Sequence, residues 1–127
     1  MIILFFVVLI FGVFVILCCR AAARRRFMKG RYPRTLLDIH KEVHDQVSFD
    51  VLSDVWSRIG EAFSIDPKII NPDDKMKTLD DIDSWDLGKG SDALNRWIEQ
   101  EQFGIPPAFV TVLDFAKWIQ SCRMSRK

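Results

Sequence analysis

Serine hydroxyls and aspartate carboxylates are concentrated in one stretch of the chain, which runs from Asp66 to Ser91. A hydroxyl can act as a nucleophile when a base lies beside it, and carboxylates attract cations and basic surfaces. The two serines nearest the aspartates are Ser84 and Ser91. No Ser-His-Asp order, phosphate-binding loop or zinc-ligand spacing accompanies them. We therefore expect a binding or attachment site here and no enzyme active site.

The aspartates of this stretch do not have the spacing of a calcium loop. With Asp81 and Asp83 as the first two ligands, such a loop needs Asp or Asn at position 85 and glycine at position 86. The chain has Trp85 and Asp86 there. Its two histidines lie four residues apart with no cysteine or third ligand placed beside them, so they specify no metal geometry. We expect no metal site.

Prolines and glycines interrupt the same stretch, with Pro67 and Pro72 near its start and Gly88 and Gly90 near its end. Such residues are unfavourable inside regular elements, whereas strongly helix-periodic segments lie on both sides. We therefore predict a long loop between two helices. Ser84 is expected within the loop, and Ser91 is expected to cap the helix that follows.

Charge divides the chain into two parts. Residues 1–37 contain seven basic residues and no acidic one, whereas residues 38–122 contain eight Lys or Arg against 17 Asp or Glu, a net charge of about −9. A negative domain excludes nucleic-acid binding by the bundle. The collar that follows the apolar N-terminus contains Arg20, Arg24, Arg25 and Arg26. It is expected to fix membrane topology, or to bind anionic lipid.

Residues 1–19 are apolar apart from one glycine, and nineteen helical residues span about 28 Å, close to the thickness of the bilayer core. We predict a transmembrane helix. By the positive-inside rule the C-terminal side is cytoplasmic, as in a protein of the bacterial inner membrane. A cleaved signal ending at Ala21–Ala23 is the alternative. Cys18 and Cys19 lie where the helix leaves the bilayer and are possible acylation sites.

The remaining boundaries follow from composition and periodicity. Residues 20–34 are predicted to be a basic juxtamembrane linker, residues 35–47 an amphipathic helix, residues 48–122 a helical domain and residues 123–127 a basic tail. The apolar spacing between positions 35 and 64 fits one long helix or two shorter ones. No run of residues alternates as strands do. The fold class is therefore all-α, with three or four helices around one core.

Residues 49–120 resemble an acyl carrier protein, a small acidic helical bundle that carries acyl groups on a phosphopantetheine arm. The stretch from Phe63 to Asp74 is similar to the end of that family's first helix and the start of its first loop. Residues 103–105 and 111–119 are similar to the close of its second helix and to its final helix. Asp83-Ser84-Trp85 is similar to the Asp-Ser-Leu whose serine bears the arm.

The resemblance implies two functions. In one, a membrane-anchored carrier bears 4'-phosphopantetheine on Ser84 or, failing that, on Ser91. In the other, which the altered serine motif favours, the fold has lost the arm and acts as a non-enzymatic adaptor. In both cases the resemblance implies that a basic patch of a partner protein or enzyme docks on the loop and the second helix. The expected partner-binding residues are Asp73, Asp74, Asp80, Asp81, Asp83, Trp85, Asp86 and Asp92.

Overall fold

The computed structural model describes residues 1–125, apart from the side chain of Asp86. This part of the chain is all-α, as predicted. The helices are α1 (Ile2–Met28), α2 (Leu36–Val43), α3 (Phe49–Phe63), α4 (Met76–Asp83), α5 (Lys89–Gln100) and α6 (Val112–Ser125). Two short 3-10 turns lie between them, the first at Pro67–Ile69 and the second at Ser84–Asp86.

Helix α1 is long and apolar enough to cross a bilayer, with a mean hydropathy of 3.4 over its most apolar window and none of that window buried. The helix does not end at position 19. It continues to Met28, so the first half of the predicted linker is helical. Alanine and arginine have high helix propensity, which explains why residues 21–26 prolong the helix past the apolar segment.

Helices α2 and α3 are separate, which answers the question that the spacing left open. Thr35 caps α2, because its hydroxyl accepts a hydrogen bond from the Asp38 N–H at 3.1 Å. Ser48 caps α3 and accepts from the Val51 N–H. Helix α3 ends at Ser64, whose φ of 56° is left-handed. A five-residue connection, residues 44–48, therefore separates two amphipathic helices.

The core lies where α3 packs against α4, α5 and α6. Trp56 is fully buried there, and its indole N–H donates to the Ile70 carbonyl at 3.0 Å. Trp97 is buried against Phe115, and half-buried Trp118 packs against Phe103 and Phe115. The remaining core side chains are aliphatic and come from all four helices. They include Leu52, Val55, Ile59, Leu79, Ile82, Leu94, Ile98, Val112 and Ile119.

The C-terminal end of α1 is fastened to this bundle. The guanidinium of Arg24 donates to the carbonyls of Phe63 and Ser64 at 3.0 and 2.9 Å, at the C-terminus of α3. Phe27 is buried in the core, and the Arg31 guanidinium lies 3.9 Å from the centre of its ring. These contacts give the bundle a defined position on the helix. A freely swinging domain, which a flexible linker would permit, is not what the structure shows.

Candidate functional site

The stretch from Asp66 to Ser91 is not the single loop that its prolines and glycines predict. Helix α4 lies in the middle of it and buries Leu79 and Ile82 against the core. The helix has only eight residues, so its stability comes from this burial more than from propensity. Its formation determines which aspartates of the stretch face water and which face inward.

Asp83 is one of the aspartates that face inward, with only 2% of its surface exposed. One carboxylate oxygen accepts the Gly90 N–H at 2.7 Å, and the other accepts the Ser91 N–H at 2.9 Å. A side chain at the end of α4 thus satisfies two N–H groups in the first turn of α5. The prediction that Asp83 binds a partner is therefore wrong, because its carboxylate is enclosed and used within the fold.

Asp74 also has a structural role. Its two carboxylate oxygens accept hydrogen bonds from Arg31, both at 2.7 Å, in a bidentate ion pair. The same carboxylate accepts from the Asn71 N–H at 2.7 Å, and its side chain is 10% exposed. The prediction that Asp74 binds a partner therefore fails for the same reason. Arg31 itself belongs to the segment that was predicted to be a linker.

The other predicted acidic residues remain on the surface. Asp73 lies in the turn before α4, Asp80 and Asp81 lie on α4, and Asp92 lies in the first turn of α5. All four are exposed. The side chain of Asp86 lies outside the described residues.

Ser91 lies in the first turn of α5 and not at its cap, which is Gly88 with a φ of 77°. The hydroxyl that was expected to be occupied in capping instead donates to a carboxylate oxygen of Asp80 at 3.1 Å. The side chain of Asp83 caps the helix instead, by accepting from the N–H groups of Gly90 and Ser91, which lie seven and eight residues further along the chain. The half-buried Ser91 hydroxyl therefore lies between α4 and α5.

An apolar cleft of about 250 Å³ opens beside Ser91. Its walls come from α3, α4, α5, α6 and the turn before α6. Ser91 and Asp80 are polar residues of its lining. Its apolar lining consists of Phe63, Met76, Leu94, Ile98, Pro106, Pro107, Phe109 and Phe115. A hydroxyl in the first turn of a helix thus shares a cleft with an apolar surface on which a short hydrocarbon chain can lie.

Ser84, the serine with the family-like motif, has a different setting. It ends α4 and is exposed, and its hydroxyl donates to the Asp81 carbonyl at 2.7 Å. It does not line the cleft beside Ser91. The structure therefore separates the serine that matches by motif from the serine that lies at a cavity.

Gly90 explains how these parts come so close together. An added Cβ would lie 2.5 Å from the Phe63 ring and 2.8 Å from an Asp83 carboxylate oxygen. The absence of a side chain lets α5 approach the end of α3 while Asp83 reaches the helix N–H groups. The sequence offered a signal for this arrangement, a glycine one residue before Ser91, which was interpreted as part of a loop.

Trp85 and Leu87 form the outer edge of the second 3-10 turn. Trp85 is 41% exposed and lines a groove with Ala23, Arg26 and Phe27 of α1. Leu87 is 88% exposed. The turn therefore lies against α1 and not over the cleft.

The histidines have local structural partners. His40 Nε2 lies 2.8 Å from the Val47 carbonyl oxygen, and His44 Nδ1 lies 3.0 Å from the Lys41 carbonyl oxygen. Within the described part of the chain, no three His, Cys, Asp or Glu side chains form a group that could hold a metal ion.

Comparison with known proteins finds no family model, no curated protein and no solved structure that matches the chain significantly. The acyl-carrier resemblance therefore stays a prediction from the sequence. The features of the structure that bear on function are the position of Ser91, the cleft beside it and the acidic surface.

Proposed function

We propose that the chain is a single-pass membrane protein, most simply of a bacterial inner membrane, with its helical bundle in the cytoplasm. The bundle acts without catalysis as an acyl-carrier-like adaptor, whose acidic surface on α4 and the start of α5 binds a basic partner near the membrane. The apolar length of α1 and the arginines that follow it support the topology. The acidic surface supports the mode of binding.

One observation carries the adaptor proposal. Asp80 and Asp92 are exposed on two packed helices, and Asp80 lines the cleft. Asp81 is also exposed on α4, but it lines the groove that Arg26 and Lys29 line. The ion pairs within the described residues use other carboxylates, those of Asp38, Glu42, Asp54 and Asp74. Exposed carboxylates that form no ion pair attract a basic protein and accelerate its association.

Neutralising this surface is expected to release the partner. We expect the full chain with Asp80→Asn and Asp92→Asn, purified from membranes of its own host, to lose a basic protein that the wild type retains at low salt. The matched control carries Asp45→Asn and Glu99→Gln, which neutralises two exposed acids elsewhere on the bundle. Quantitative mass spectrometry measures the recovery. Equal recovery with both variants, or recovery insensitive to salt, would contradict the proposal.

A second function is favoured by the cleft. A working carrier needs a serine that a transferase can esterify with 4'-phosphopantetheine, and a surface that shelters the acyl chain on the arm. Ser91 fits this need better than Ser84, because its half-buried hydroxyl lies at the apolar cleft. Ser91 would hold the arm through its oxygen, and the side chains of Leu94, Ile98 and Phe115 would contact the chain.

Covalent loading distinguishes the carrier from the adaptor. The full chain is co-expressed with a broad-specificity phosphopantetheinyl transferase, and its intact mass is measured in detergent. A working carrier is expected to gain the mass of one arm, and Ser91→Ala is expected to abolish the gain. Ser84→Ala is the matched control, and we expect it to load normally. A wild-type chain that gains no mass would eliminate the carrier and leave the adaptor in place.

A further inference from the structure

The turn that follows α4 displays two large apolar side chains to solvent. Trp85 is 41% exposed and Leu87 is 88% exposed. Leu87 has a left-handed backbone, with φ 59° and ψ 32°, which ends the turn and lets the Gly88 N–H donate to the Asp83 carbonyl at 3.1 Å. The backbone of Leu87 thus serves the fold, whereas its side chain packs little against the bundle. Two adjacent apolar side chains that are exposed in this way form a surface that an apolar environment outside the bundle can cover.

The position of the turn along α1 indicates which environment this is. Trp85 shares a groove of about 400 Å³ with Ala23, Arg26 and Phe27. Ala23 lies four residues beyond Cys19, the end of the apolar segment, which is about 6 Å further along the helix axis. The headgroup layer on each side of the hydrocarbon core is about 5–7 Å thick. The Ala23 end of the groove therefore lies level with the headgroups when residues 1–19 span the core.

Contacts with α1 fix the position of the bundle along this helix, and with it the position of the turn. Arg24 donates to two carbonyls at the end of α3, and Phe27 is buried in the core only three residues later. The second 3-10 turn and α4 both contact α1 directly. Side chains on the outer edge of the turn are thus carried by a rigid connection to the membrane helix.

The charges around the groove suit a lipid surface. Arg26 and Lys29 line it, and Arg25 is exposed on the same end of α1. Arg31 also lines the groove, but its charge is paired with Asp74. Asp81 supplies a carboxylate to the groove. Among the side chains that the structure describes around this groove, three exposed cations against one exposed carboxylate leave a net attraction to anionic headgroups.

We propose that Trp85 and Leu87 form a second membrane contact, in which the tip of the turn inserts among the lipids of the bilayer that α1 crosses. The inference rests on the proposed anchoring of α1 and extends it from one attachment to two. Tryptophan is enriched at the interface because its ring is apolar and its N–H is polar. The leucine places an aliphatic chain below the headgroups. The lipids thus cover the two apolar side chains that the bundle leaves exposed.

Depth-dependent quenching tests this contact in the full chain. The native cysteines are replaced (Cys18→Ala, Cys19→Ala and Cys122→Ser), and Leu87→Cys is labelled with an environment-sensitive nitrobenzoxadiazole dye. The protein is reconstituted in vesicles of phosphatidylcholine with a minority of phosphatidylglycerol. Lipids with a nitroxide near the top of the acyl chain serve as quencher.

The matched control is Met124→Cys, labelled in the same way. Met124 is 66% exposed and lines a surface with Val47, Ser48 and Val51, at the end of α3 opposite to the one that Arg24 contacts. Helix α3 has 15 residues and is about 22 Å long, so this position is at the far end of the helix from the one that Arg24 fastens to α1. A dye at this position reports quenching that does not depend on insertion.

We expect the dye at position 87 to lose about half of its emission or more and to shift to the blue, as an interfacial probe does, while the dye at position 124 is unchanged. A check without any label uses brominated lipid. This lipid is expected to quench part of the wild-type tryptophan emission, and Trp85→Phe is expected to remove the quenched part.

If the dye at position 87 is not quenched in a chain that resists carbonate extraction, the second contact is refuted and the anchor stands. The tip would then be free for a protein. A chain that carbonate extracts refutes both.

Discussion

Replacing Asp83 with alanine is expected to lower the free energy of unfolding of the bundle by about 2–4 kcal/mol, because two buried N–H groups lose their acceptors. The carboxylate accepts the Gly90 and Ser91 N–H groups at 2.7 and 2.9 Å, and the residue is 2% exposed. Urea unfolding of the full chain in a mild detergent, followed by tryptophan fluorescence, measures the change.

Two variants sharpen this test. Asp83→Asn retains one acceptor oxygen but turns an NH₂ group toward the second N–H, so we expect a loss between that of alanine and zero. Asp81→Ala removes an exposed carboxylate from the same helix and is expected to change the stability by less than about 0.5 kcal/mol. If Asp83→Ala and Asp81→Ala were equally stable, Asp83 would not be the cap of α5. A large part of a total stability of about 5–15 kcal/mol depends on this single side chain.

Replacing Arg31 with alanine is the second substitution from which we expect a large effect. It leaves the Asp74 carboxylate, whose side chain is 10% exposed, with only the Asn71 N–H as a donor. It also removes the hydrogen bonds that Arg31 donates to the Phe27 and Ile69 carbonyls at 2.6 and 3.0 Å. Since breaking a fully buried pair costs about 3–5 kcal/mol, we expect about 2–4 kcal/mol for this partly buried one.

The location of that loss can be measured as well as its size. Hydrogen exchange is expected to accelerate between Lys29 and Thr35, where the chain leaves α1. Arg31→Lys keeps the charge without the bidentate geometry and should lose an intermediate amount. The double variant with Asp74→Ala should cost less than the sum of the two single variants, because their contributions are coupled. Additive costs would show that the ion pair does not hold α1 to the bundle.

Local sequence signals predicted much of the fold. The start of the amphipathic helix predicted at residue 35 was correct, since α2 begins at Leu36 with Thr35 as its cap, and the apolar spacing of α3, α5 and α6 was sufficient to identify the all-α class. The apolar length of α1 was equally plain, although its continuation to Met28 was not expected. These features depend on residues within a few positions of one another, which periodicity and capping rules describe well.

The candidate site depends on contacts that those rules do not reach. Met76, Leu79 and Ile82 have helical spacing, but the aspartates and prolines around them favoured a loop. Burial against α3 is what stabilises so short a helix as α4. The cap of α5 comes from a side chain outside the helix. Because the register of α4 sets which carboxylates point outward, the exposed and enclosed aspartates could not be distinguished from the sequence.

The attachment of the bundle to α1 has a consequence for how partners are found. Arg24 and Phe27 hold the end of α3 against α1, and the first turn of α5 packs on that same end through Gly90. With α1 in a bilayer, the Ser91 cleft stays at a fixed distance from the lipid and in a fixed orientation. In the proposed adaptor, the acidic surface is then already oriented during lateral diffusion, so that a partner confined to the same membrane meets it in two dimensions and in few orientations.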